Sequence, residues 1–357
     1  SPGQQALLKA YPDYSYPVYE TRRTASLPQN IYDKAKKNAV LAKLSDDGNA
    51  VINFDEAIPF PIPQNGLEVI WNHITRYRGG SGVRNFTQIA SQASGDFAQV
   101  NMRDVFVFPW YLKGKYNPKV DDNKLFYYKQ LVTAPARLSG NVLLVHETID
   151  QIKEPRQSWI YNSGQRRVRR APQVAYDSPG TASDGLSTTD NFDLYNGAPD
   201  RYNWELIGKE EKYIPYNAYL LMDNKIKYKD IIQKGHMNSK YLRYELHRVW
   251  VVEATLKDDF KHVYAKRRFY VDEDSWQISV VDHYDNRGEL WRISESHKVQ
   301  FPQANAPWIA AEALYDLIAR RYMVTGLSNE EKVAVQFGTN ARRKDFTPAA
   351  LRRSGRK

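Results

Sequence analysis

The sequence predicts a mainly β protein built around one large antiparallel sheet, curled or closed, with a few helices on one side. Three observations predict it. Aromatic residues are abundant, with 25 Tyr, 13 Phe and 8 Trp, and such side chains pack well on a pleated, half-buried surface. About a dozen segments of strand length are separated by clusters of Gly, Pro, Asn and Asp. These strands do not alternate with helices as they would in a parallel α/β sheet.

The first 65 residues are Pro-rich and irregular, and we expect this N-terminal extension, residues 1–65, to pack on the main body. A short helix from about Ile31 to Leu44 interrupts it. The stretch "IPFPIP" must be extended, because proline disfavours helix at its own position and at the preceding residue. An amphipathic helix follows, because one apolar stripe recurs at i, i+3, i+4 and i+7. Its members are Leu67, Ile70, Trp71 and Ile74.

Residues 66–340 are predicted to form a single β domain. Its first strands cover residues 83–92, 97–111, 123–132 and 141–150, and a hairpin over 156–172 turns at 162–164. Residues 177–200 resemble a loop, and a short helix is predicted over 225–234, ending at a glycine. Further strands cover 246–257, 262–271, 275–284 and 289–299. Residues 309–327 fit either a helix or two short strands, and the pattern leaves both open.

The formal net charge of +10 is concentrated in two places. The basic C-terminal tail, residues 341–357, carries seven Lys or Arg and one Asp, and the cluster "RRVRR" at residues 166–170 carries four Arg. The rest of the chain is formally neutral. A nucleic-acid-binding domain would instead spread positive charge over a face or groove, so we expect no nucleic-acid partner.

The arginine cluster is a candidate site for an anionic headgroup or a partner protein. It follows a hairpin turn, so it should lie at a rim of the sheet, and four cations so close together are costly to bury unpaired. Strand periodicity places two of them on one face and two on the other. The alternative is a solvated face whose arginines pair with nearby acids. The cluster comprises Arg166, Arg167, Arg169 and Arg170.

Several classes of protein are excluded or disfavoured. The chain has no cysteine, which excludes disulfides, thiolate nucleophiles and Cys-ligated zinc. No stretch approaches the roughly 20 apolar residues of a membrane-spanning helix. The chain begins at Ser1 and not at Met, so a signal peptide would not be visible here.

An enzymatic or metal-binding role is also disfavoured. Residues 269–291 hold six carboxylates and a histidine, but no register places oxygens and glycine as a calcium loop requires. We interpret these acids as turn residues and strand ends. The chain contains no HExxH, GxSxG, Walker or dinucleotide motif. We therefore predict no catalytic residues, no metal and no cofactor.

Aromatic residues on the strands are candidates for lining a hydrophobic cavity. Alternation places several of them on shared strand faces, and a curled sheet with many large apolar side chains must cover them or enclose a cavity. For any single residue, an ordinary core position is the alternative. The candidates are Phe106, Phe108, Trp110, Trp159, Trp250, Trp276 and Trp291.

Long stretches of the chain resemble a known family. They include "YLRYELHRVWVVEATLK", "HVYAKRRFYVDEDSWQISVVDHYDNRGELWR", "YNSGQRRVRRAPQVAYD", "DRYNWELIGKEEKYIPYNAY" and "FTPAALRR". These strings are similar to Gram-negative proteins labelled outer-membrane lipoprotein-sorting proteins, whose sheet is similar to that of LolA and LolB. The resemblance runs from about residue 20 to about residue 350.

The resemblance implies a fold and a function. It implies an open β-barrel with helices covering the concave side, in a periplasmic protein whose signal peptide has been removed. It also implies a hydrophobic, lipid-like cargo carried between the inner and outer membranes, an RND-type (MMPL-like) exporter and an outer-membrane partner, and no established catalytic residues. Peripheral membrane contact is compatible with this reading. The alternative is an adaptor module that docks an exporter to an outer-membrane partner and carries nothing.

Overall fold

The computed structural model describes residues 1–171 and 176–355. Pro172 at the end of the predicted hairpin and the last two residues of the basic tail lie outside the described residues. The described helices are α1 (Pro2–Ala10), α2 (Gln29–Leu41), α3 (Gly66–Thr75), α4 (Pro118–Asp121), α5 (Tyr228–Ile231) and α6 (Pro348–Ser354).

The strands fall into a short N-terminal set and two long sets. The N-terminal strands are β1 (Val18–Tyr19), β2 (Lys43–Leu44) and β3 (Val51–Ile52). The first long set is β4 (Ser81–Ser91), β5 (Phe97–Val107), β6 (Lys124–Ala134), β7 (Val142–Thr148), β8 (Gln157–Asn162) and β9 (Arg167–Arg170). The second is β10 (Tyr202–Pro215), β11 (Tyr244–Leu256), β12 (Lys266–Asp272), β13 (Ile278–Tyr284), β14 (Leu290–Phe301), β15 (Ala306–Asp316), β16 (Arg321–Leu327) and β17 (Val335–Phe337).

One sheet contains every described strand except β2 and β3. Its order is β1, β11, β12, β13, β14, β15, β16, β4, β5, β6, β7, β8, β9, with β10 also on β11 and β17 also on β4. All its pairings are antiparallel except that of β1 with β11. In the described part of the chain the two ends of this order do not pair, so the sheet is open. The predicted mainly β fold is confirmed.

The inner face of the sheet packs against α3. Asn65 caps this helix, since its side chain accepts a hydrogen bond from the backbone N–H of Glu68 at 2.9 Å. The predicted apolar stripe buries Ile70 and Trp71 in a cluster that also contains Val252 and many aromatic residues of the inner face. Helix α3 contacts β10 and β11 at one end of the inner face, so it does not cover the strands at the other end of that face.

The outer face is covered as well. Helix α1 and the segment of residues 216–242 pack on it, around a cluster that includes Leu7, Tyr244 and Val251. At the other end of the sheet, α6 packs on β7, β8 and β9, and Leu351 is fully buried there. Helices therefore lie on both faces of the sheet. Helix α3 lies on the concave side, where helices were predicted, whereas α1 and α6 lie on the opposite side.

Several predicted elements differ from the observed ones. Residues 309–327 form the hairpin of β15 and β16, so the helical alternative is wrong. The helix predicted over 225–234 shrinks to Tyr228–Ile231. The strand predicted over 97–111 ends at Val107, because Pro109 starts a short 3₁₀ turn. The 14-residue strand β10 was not predicted.

No helix among the described residues combines the length and the apolar character needed to cross a bilayer.

Candidate ligand-binding cavity

A cavity of about 350 Å³ lies on the inner face of the sheet. Seven neighbouring strands, β15, β16 and β4 to β8, contribute to its wall. So many strands can bound one cavity only because the sheet curves around it. The volume lies at the lower end of the range of about 300–1,000 Å³ for small-molecule sites. The apolar lining includes Phe86, Phe106, Phe108, Phe126, Leu143, Val145, Leu314 and Met323.

Strand register brings these side chains together. Phe106 of β5 lies opposite Tyr128 of β6, and Tyr128 lies opposite Val145 of β7. Leu143, two residues earlier on β7, lies opposite Ile160 of β8. Because cross-strand partners share a face and side chains alternate along a strand, these residues form one continuous apolar surface.

Aromatic rings form one wall of the cavity. The rings of Phe106 and Trp308 stack with their centroids 5.4 Å apart and an interplanar angle of 18°. The guanidinium of Arg84 lies 4.0 Å from the centroid of the Phe86 ring, a cation–π distance. The wall therefore combines apolar area with a charge held against an aromatic face.

Charged side chains also line the cavity, and most of them pair. Nη2 of Arg84 lies 2.7 Å from Oδ2 of Asp104. Nε of Arg156 lies 2.8 Å from Oε2 of Glu147. Pairing of this kind is what allows charges to be buried in an otherwise apolar site.

A segment without long regular structure closes one side of the cavity. We call residues 179–196 the capping segment; ten of them contribute to the lining. Asp193 of this segment forms ion pairs with Arg76 and Arg78, which follow α3. Asp190 lies 2.9 Å from Nη1 of the buried Arg267 on β12. Two buried carboxylates thus fix the capping segment to the inner face.

The electrostatics of Asp193 agree with an anchoring role. Burial on its own would raise the pKa of this carboxyl, but the neighbouring charges of Arg76 and Arg78 outweigh it and hold the pKa well below the usual range. Asp190 follows the same pattern, since Arg267 and a hydrogen bond from His262 offset its burial. Both anchors are therefore ionised at neutral pH.

Glu312 of β15 is the exception among the charged lining residues. It is 4% exposed, and within the described part of the chain its Oε1 has no hydrogen-bond partner. Burial, reinforced by the negative charge of Asp193, raises the pKa of Glu312 to about 8. At neutral pH this side chain is therefore mostly a protonated carboxylic acid.

The exposed members of the lining mark the mouth of the cavity. They are Ile160, Pro179, Thr181 and Phe192. Arg169 lies directly opposite Ile160 across the β8–β9 hairpin, so its side chain projects from the same face. Arg167, two residues earlier, shares that face. Both are exposed.

All four arginines of the predicted cluster are exposed at the rim of the sheet. Among the described residues none of the four forms an ion pair with an acid. The C-terminal helix α6 packs beside them, and its Arg352 and Arg353 are also exposed. The two basic segments of the sequence therefore lie together, which the sequence did not predict.

Two of the seven aromatic residues predicted to contact a hydrophobic ligand lie in the cavity wall. These are Phe106 and Phe108. The other five lie elsewhere, and for them ligand contact stays a prediction. They are Trp110, Trp159, Trp250, Trp276 and Trp291.

Two of these tryptophans join a separate cluster near α2. Trp250 and Trp276 stack with their centroids 6.3 Å apart, and Trp276 packs in a cluster with Ile31. Trp291, elsewhere on the sheet, donates a hydrogen bond from Nε1 to Oδ2 of Asp316 at 3.0 Å.

The other two tryptophans also have partners outside the cavity. Trp110 stacks on Tyr116 with an interplanar angle of 8°. Trp159 of β8 faces His146, with ring centroids 4.9 Å apart. It lies on the outer face of the sheet, on the side of α6, because it alternates with Ile160.

The acidic stretch 269–291 forms turns in part and a buried network in part. Glu273, Asp274 and Asp285 lie in turns, as predicted. Asp272 is fully buried, and its Oδ2 lies 2.8 Å from Nζ of Lys298. One ligand atom each from His247, Asp272 and Asp274 lie within 4.8 Å of one another. Each of these side chains also has a protein partner, since Asp272 pairs with Lys298, Asp274 with Arg23, and His247 lies 3.0 Å from Glu245.

The polar lining residues were missed at the level of sequence. Arg76, Arg78 and Arg84 lie on either side of the glycine-rich "GGSG" stretch at residues 79–82, where no pattern predicts a charged site. The sequence did contain one signal for them. Arg84 lies two residues before Phe86 on β4, and Asp104 lies two residues before Phe106 on β5, so each charged residue shares a strand face with an aromatic one. Only the pairing of these strands shows that the charges compensate each other.

The sequence profile of DUF1329, proteins of unknown function, matches residues 1–352. The chain belongs to the DUF1329 family. A Pseudomonas aeruginosa relative, described as an uncharacterised protein, is 59% identical over 356 residues; the match covers 99% of this chain and 78% of that protein.

Two solved structures share the fold of this DUF1329 protein. One, from Vibrio parahaemolyticus, is described as an outer-membrane lipoprotein-sorting protein domain; it has a TM-score of 0.55 at 15% identity, covering 80% of this chain and 98% of that one. The other, a DUF1329 family protein from Desulfovibrio piger, has a TM-score of 0.52 at 13% identity, covering 76% and 91%. The resemblance to lipoprotein-sorting proteins is confirmed at the level of the fold.

Proposed function

We propose that this DUF1329 protein is a periplasmic carrier or chaperone that binds a lipid, a lipoprotein acyl chain or another hydrophobic cargo between the inner and outer membranes. The observation that carries the proposal is the contiguous, aromatic-lined cavity of about 350 Å³ on the inner face of the curved sheet. The shared fold with a lipoprotein-sorting domain supports it. An RND-type exporter and an outer-membrane protein are the partners that this role suggests.

The size of the cavity limits the cargo. At the lower end of the range for ligand sites, it suits one hydrocarbon chain rather than several. Each buried methylene contributes about 0.8 kcal/mol, so about ten of them supply about 8 kcal/mol. That energy corresponds to a Kd of about 1 μM before the costs of association are subtracted.

The basic rim supports a contact with an anionic membrane surface. Arg167 and Arg169 project beside the mouth, and Arg352 and Arg353 lie nearby. Each exposed cation near an anionic leaflet contributes about 1 kcal/mol. A carrier docked in this way would present its mouth towards the bilayer.

An adaptor without cargo is the second candidate. The same basic rim favours it, because unpaired arginines on an exposed edge also suit an acidic protein surface. The cavity favours the carrier, because a purely structural module would be expected to fill its interior at the packing density of a protein core.

The test blocks the cavity without disturbing the fold. Leu143→Trp places a bulky ring in the wall at a partly exposed position. Leu131→Trp is the control, because Leu131 packs on the outer face of the adjacent strand β6. Native mass spectrometry would measure binding of decanoate and of short-chain lysophospholipids to each variant. We expect binding to wild type and to Leu131→Trp, and loss in Leu143→Trp. A delipidated wild-type protein that binds no lipid class would refute the carrier.

A further inference from the structure

Three arginines from two parts of the chain line the cavity together with one buried acid. Arg76 and Arg78 follow α3, and Arg84 lies on β4. Glu312 of β15 faces them, and these guanidinium groups and Asp193 are the charges that act on it. All five side chains line the cavity. We call Arg76, Arg78, Arg84 and Glu312 the arginine end.

The arginine end retains hydrogen-bonding capacity. Among the described residues, Nε of Arg78 and Oε1 of Glu312 are buried and unpartnered. In the part of the chain that the structure describes, the guanidinium of Arg84 donates its hydrogen bond through Nη2, to Asp104. Buried polar atoms in folded proteins are nearly always satisfied by protein groups or water, so these groups are available to a polar ligand that enters the cavity.

The charges of the lining do not balance at neutral pH. Asp193 is shared by Arg76 and Arg78, whereas Asp104 and Glu147 each have one arginine. The remaining acid is Glu312, which burial keeps mostly protonated at pH 7. The lining therefore carries one excess positive charge, from the four guanidinium groups Arg76, Arg78, Arg84 and Arg156.

We propose that the arginine end binds the anionic headgroup, a carboxylate or a phosphate, of an amphiphile whose hydrocarbon chain lies along the aromatic wall. This inference rests on the proposed carrier function and specifies its ligand. Guanidinium groups form charge-assisted hydrogen bonds to both anions. The protonated Glu312 donates a hydrogen bond to an anionic oxygen, as an ionised carboxylate could not.

Other headgroups fit less well. A quaternary ammonium would face three guanidinium groups, and like charges in a water-poor site repel strongly. A neutral alcohol leaves the excess positive charge uncompensated. An anion both neutralises the arginine end and satisfies its donors.

The arrangement couples ligand binding to the proton on Glu312. The charged groups that act on this carboxyl are Asp193 of the capping segment, Arg84 of β4, and Arg76 and Arg78 beyond α3. Its cross-strand neighbours, Ser296 of β14 and Thr325 of β16, are uncharged. Ionisation of Glu312 above about pH 8 places a negative charge beside the bound anion. Affinity for an anionic ligand is therefore expected to fall by about tenfold for each pH unit above that value.

The experiment compares probes with one chain and different ends. Isothermal titration calorimetry of the delipidated protein would measure the Kd of decanoate, decyl phosphate, decanol and decyltrimethylammonium at about pH 7. We expect the two anions to bind at least about tenfold more tightly than decanol, and the ammonium to bind most weakly. The difference between decanoate and decyl phosphate distinguishes a fatty acid from a phospholipid source.

Two variants test the residues. In Glu312→Gln the affinity for decanoate should be retained at about pH 7 and should no longer fall between about pH 7 and pH 9. Replacing Arg84 alone would strand Asp104, so the second variant is the charge-neutral pair Arg84→Met with Asp104→Leu. It should weaken the preference for anions, because one of the three guanidinium groups is removed, and keep its affinity for decanol.

The outcomes separate the two proposals. Equal affinity for all four probes, or a preference for decanol or the ammonium, would overturn the anionic headgroup and leave the carrier intact. An unchanged pH dependence in Glu312→Gln would also overturn it. If the wild-type protein binds none of the four probes, both the carrier function and the headgroup site are refuted.

Discussion

Asp193 accepts two hydrogen bonds from the guanidinium of Arg76, at 2.7 Å to Oδ2 and 2.5 Å to Oδ1. This bidentate pair joins the capping segment to the chain immediately beyond α3. Arg78 contacts the same carboxylate at 3.0 Å. One carboxylate thus holds the cover of the cavity in place and neutralises part of its wall.

Asp193→Asn should therefore destabilise the protein strongly. Removing one partner of a buried ion pair typically costs about 3–5 kcal/mol, because the remaining charge is left uncompensated, and here two guanidinium groups lose their carboxylate. Urea denaturation would measure the free energy of unfolding. The exposed Asp46 provides the control: Asp46→Asn should change that free energy by less than about 0.5 kcal/mol. A similarly small effect of Asp193→Asn would contradict the anchoring role.

The tryptophans of the two clusters should separate ligand binding from stability. Trp308 lines the cavity and stacks on Phe106, so Trp308→Ala should weaken decanoate binding by about tenfold or more. Trp250 stacks on Trp276 away from the cavity, so Trp250→Ala should lower the free energy of unfolding by about 3 kcal/mol and leave the Kd unchanged. Calorimetry and urea denaturation on both variants check this. A loss of affinity in Trp250→Ala would instead place that side chain among the ligand contacts.

Arg167 and Arg169 should control attachment to anionic membranes. Replacing both by Gln should weaken binding to vesicles containing phosphatidylglycerol, because exposed charges attract that surface, and the wild-type affinity should fall as salt rises. The melting temperature should hardly change, since both side chains are exposed. Vesicle co-sedimentation at several salt concentrations is the measurement.

The matched control for this surface removes two cations from another place. Lys36 and Lys37 are exposed on α2, so their joint replacement by Gln changes the net charge equally. That variant should retain vesicle binding. Equal losses of vesicle binding in the two double variants would show that vesicle binding depends on net charge alone. Binding of the wild type to an acidic protein and not to vesicles would favour the adaptor.

Glu295 should make stability fall as pH rises. Burial raises its pKa to about 7, although Tyr244 and Gln4 donate hydrogen bonds to its carboxyl. The folded state therefore holds a proton that the unfolded state has lost, and the free energy of unfolding decreases between about pH 4.5 and pH 7. At about 1.4 kcal/mol per pKa unit, the free energy of unfolding falls by at most about 3.5 kcal/mol across this range.

Glu295→Gln should flatten this part of the pH profile. Urea denaturation of wild type and variant at about pH 5 and pH 8 would measure the difference in slope. Glu289→Gln is the control, because Glu289 is exposed in the turn between β13 and β14, and its profile should follow that of wild type. Parallel profiles for wild type and Glu295→Gln would show that the carboxyl is not protonated in the folded state.

Local patterns predicted most of the sheet, and their failures have physical causes. Alternating apolar residues marked β4 to β8 because each strand has a buried inner face. Strand β10 was missed from the sequence because charged residues such as Glu210, Glu211 and Lys212 occupy it. Among the described strands it pairs with β11 alone, and such an edge strand tolerates charged residues. Residues 309–327 were ambiguous because alanine and leucine there suit both periods, and only pairing with β14 and β4 selects strands.

By itself the sequence determined the mainly β class, the absence of disulfides, the amphipathic helix α3, the exposed arginine hairpin and the resemblance to lipoprotein-sorting proteins. These follow from composition and from patterns within about twenty residues, which local backbone preferences are sufficient to fix. The tertiary structure alone decided which aromatic residues face the cavity, that the two basic segments meet, and that Glu312 lines the same cavity as three arginines. Strand order and curvature bring together residues that are far apart in the chain. Burial then determines whether a side chain such as Glu312 is ionised, and no local sequence pattern predicts that burial.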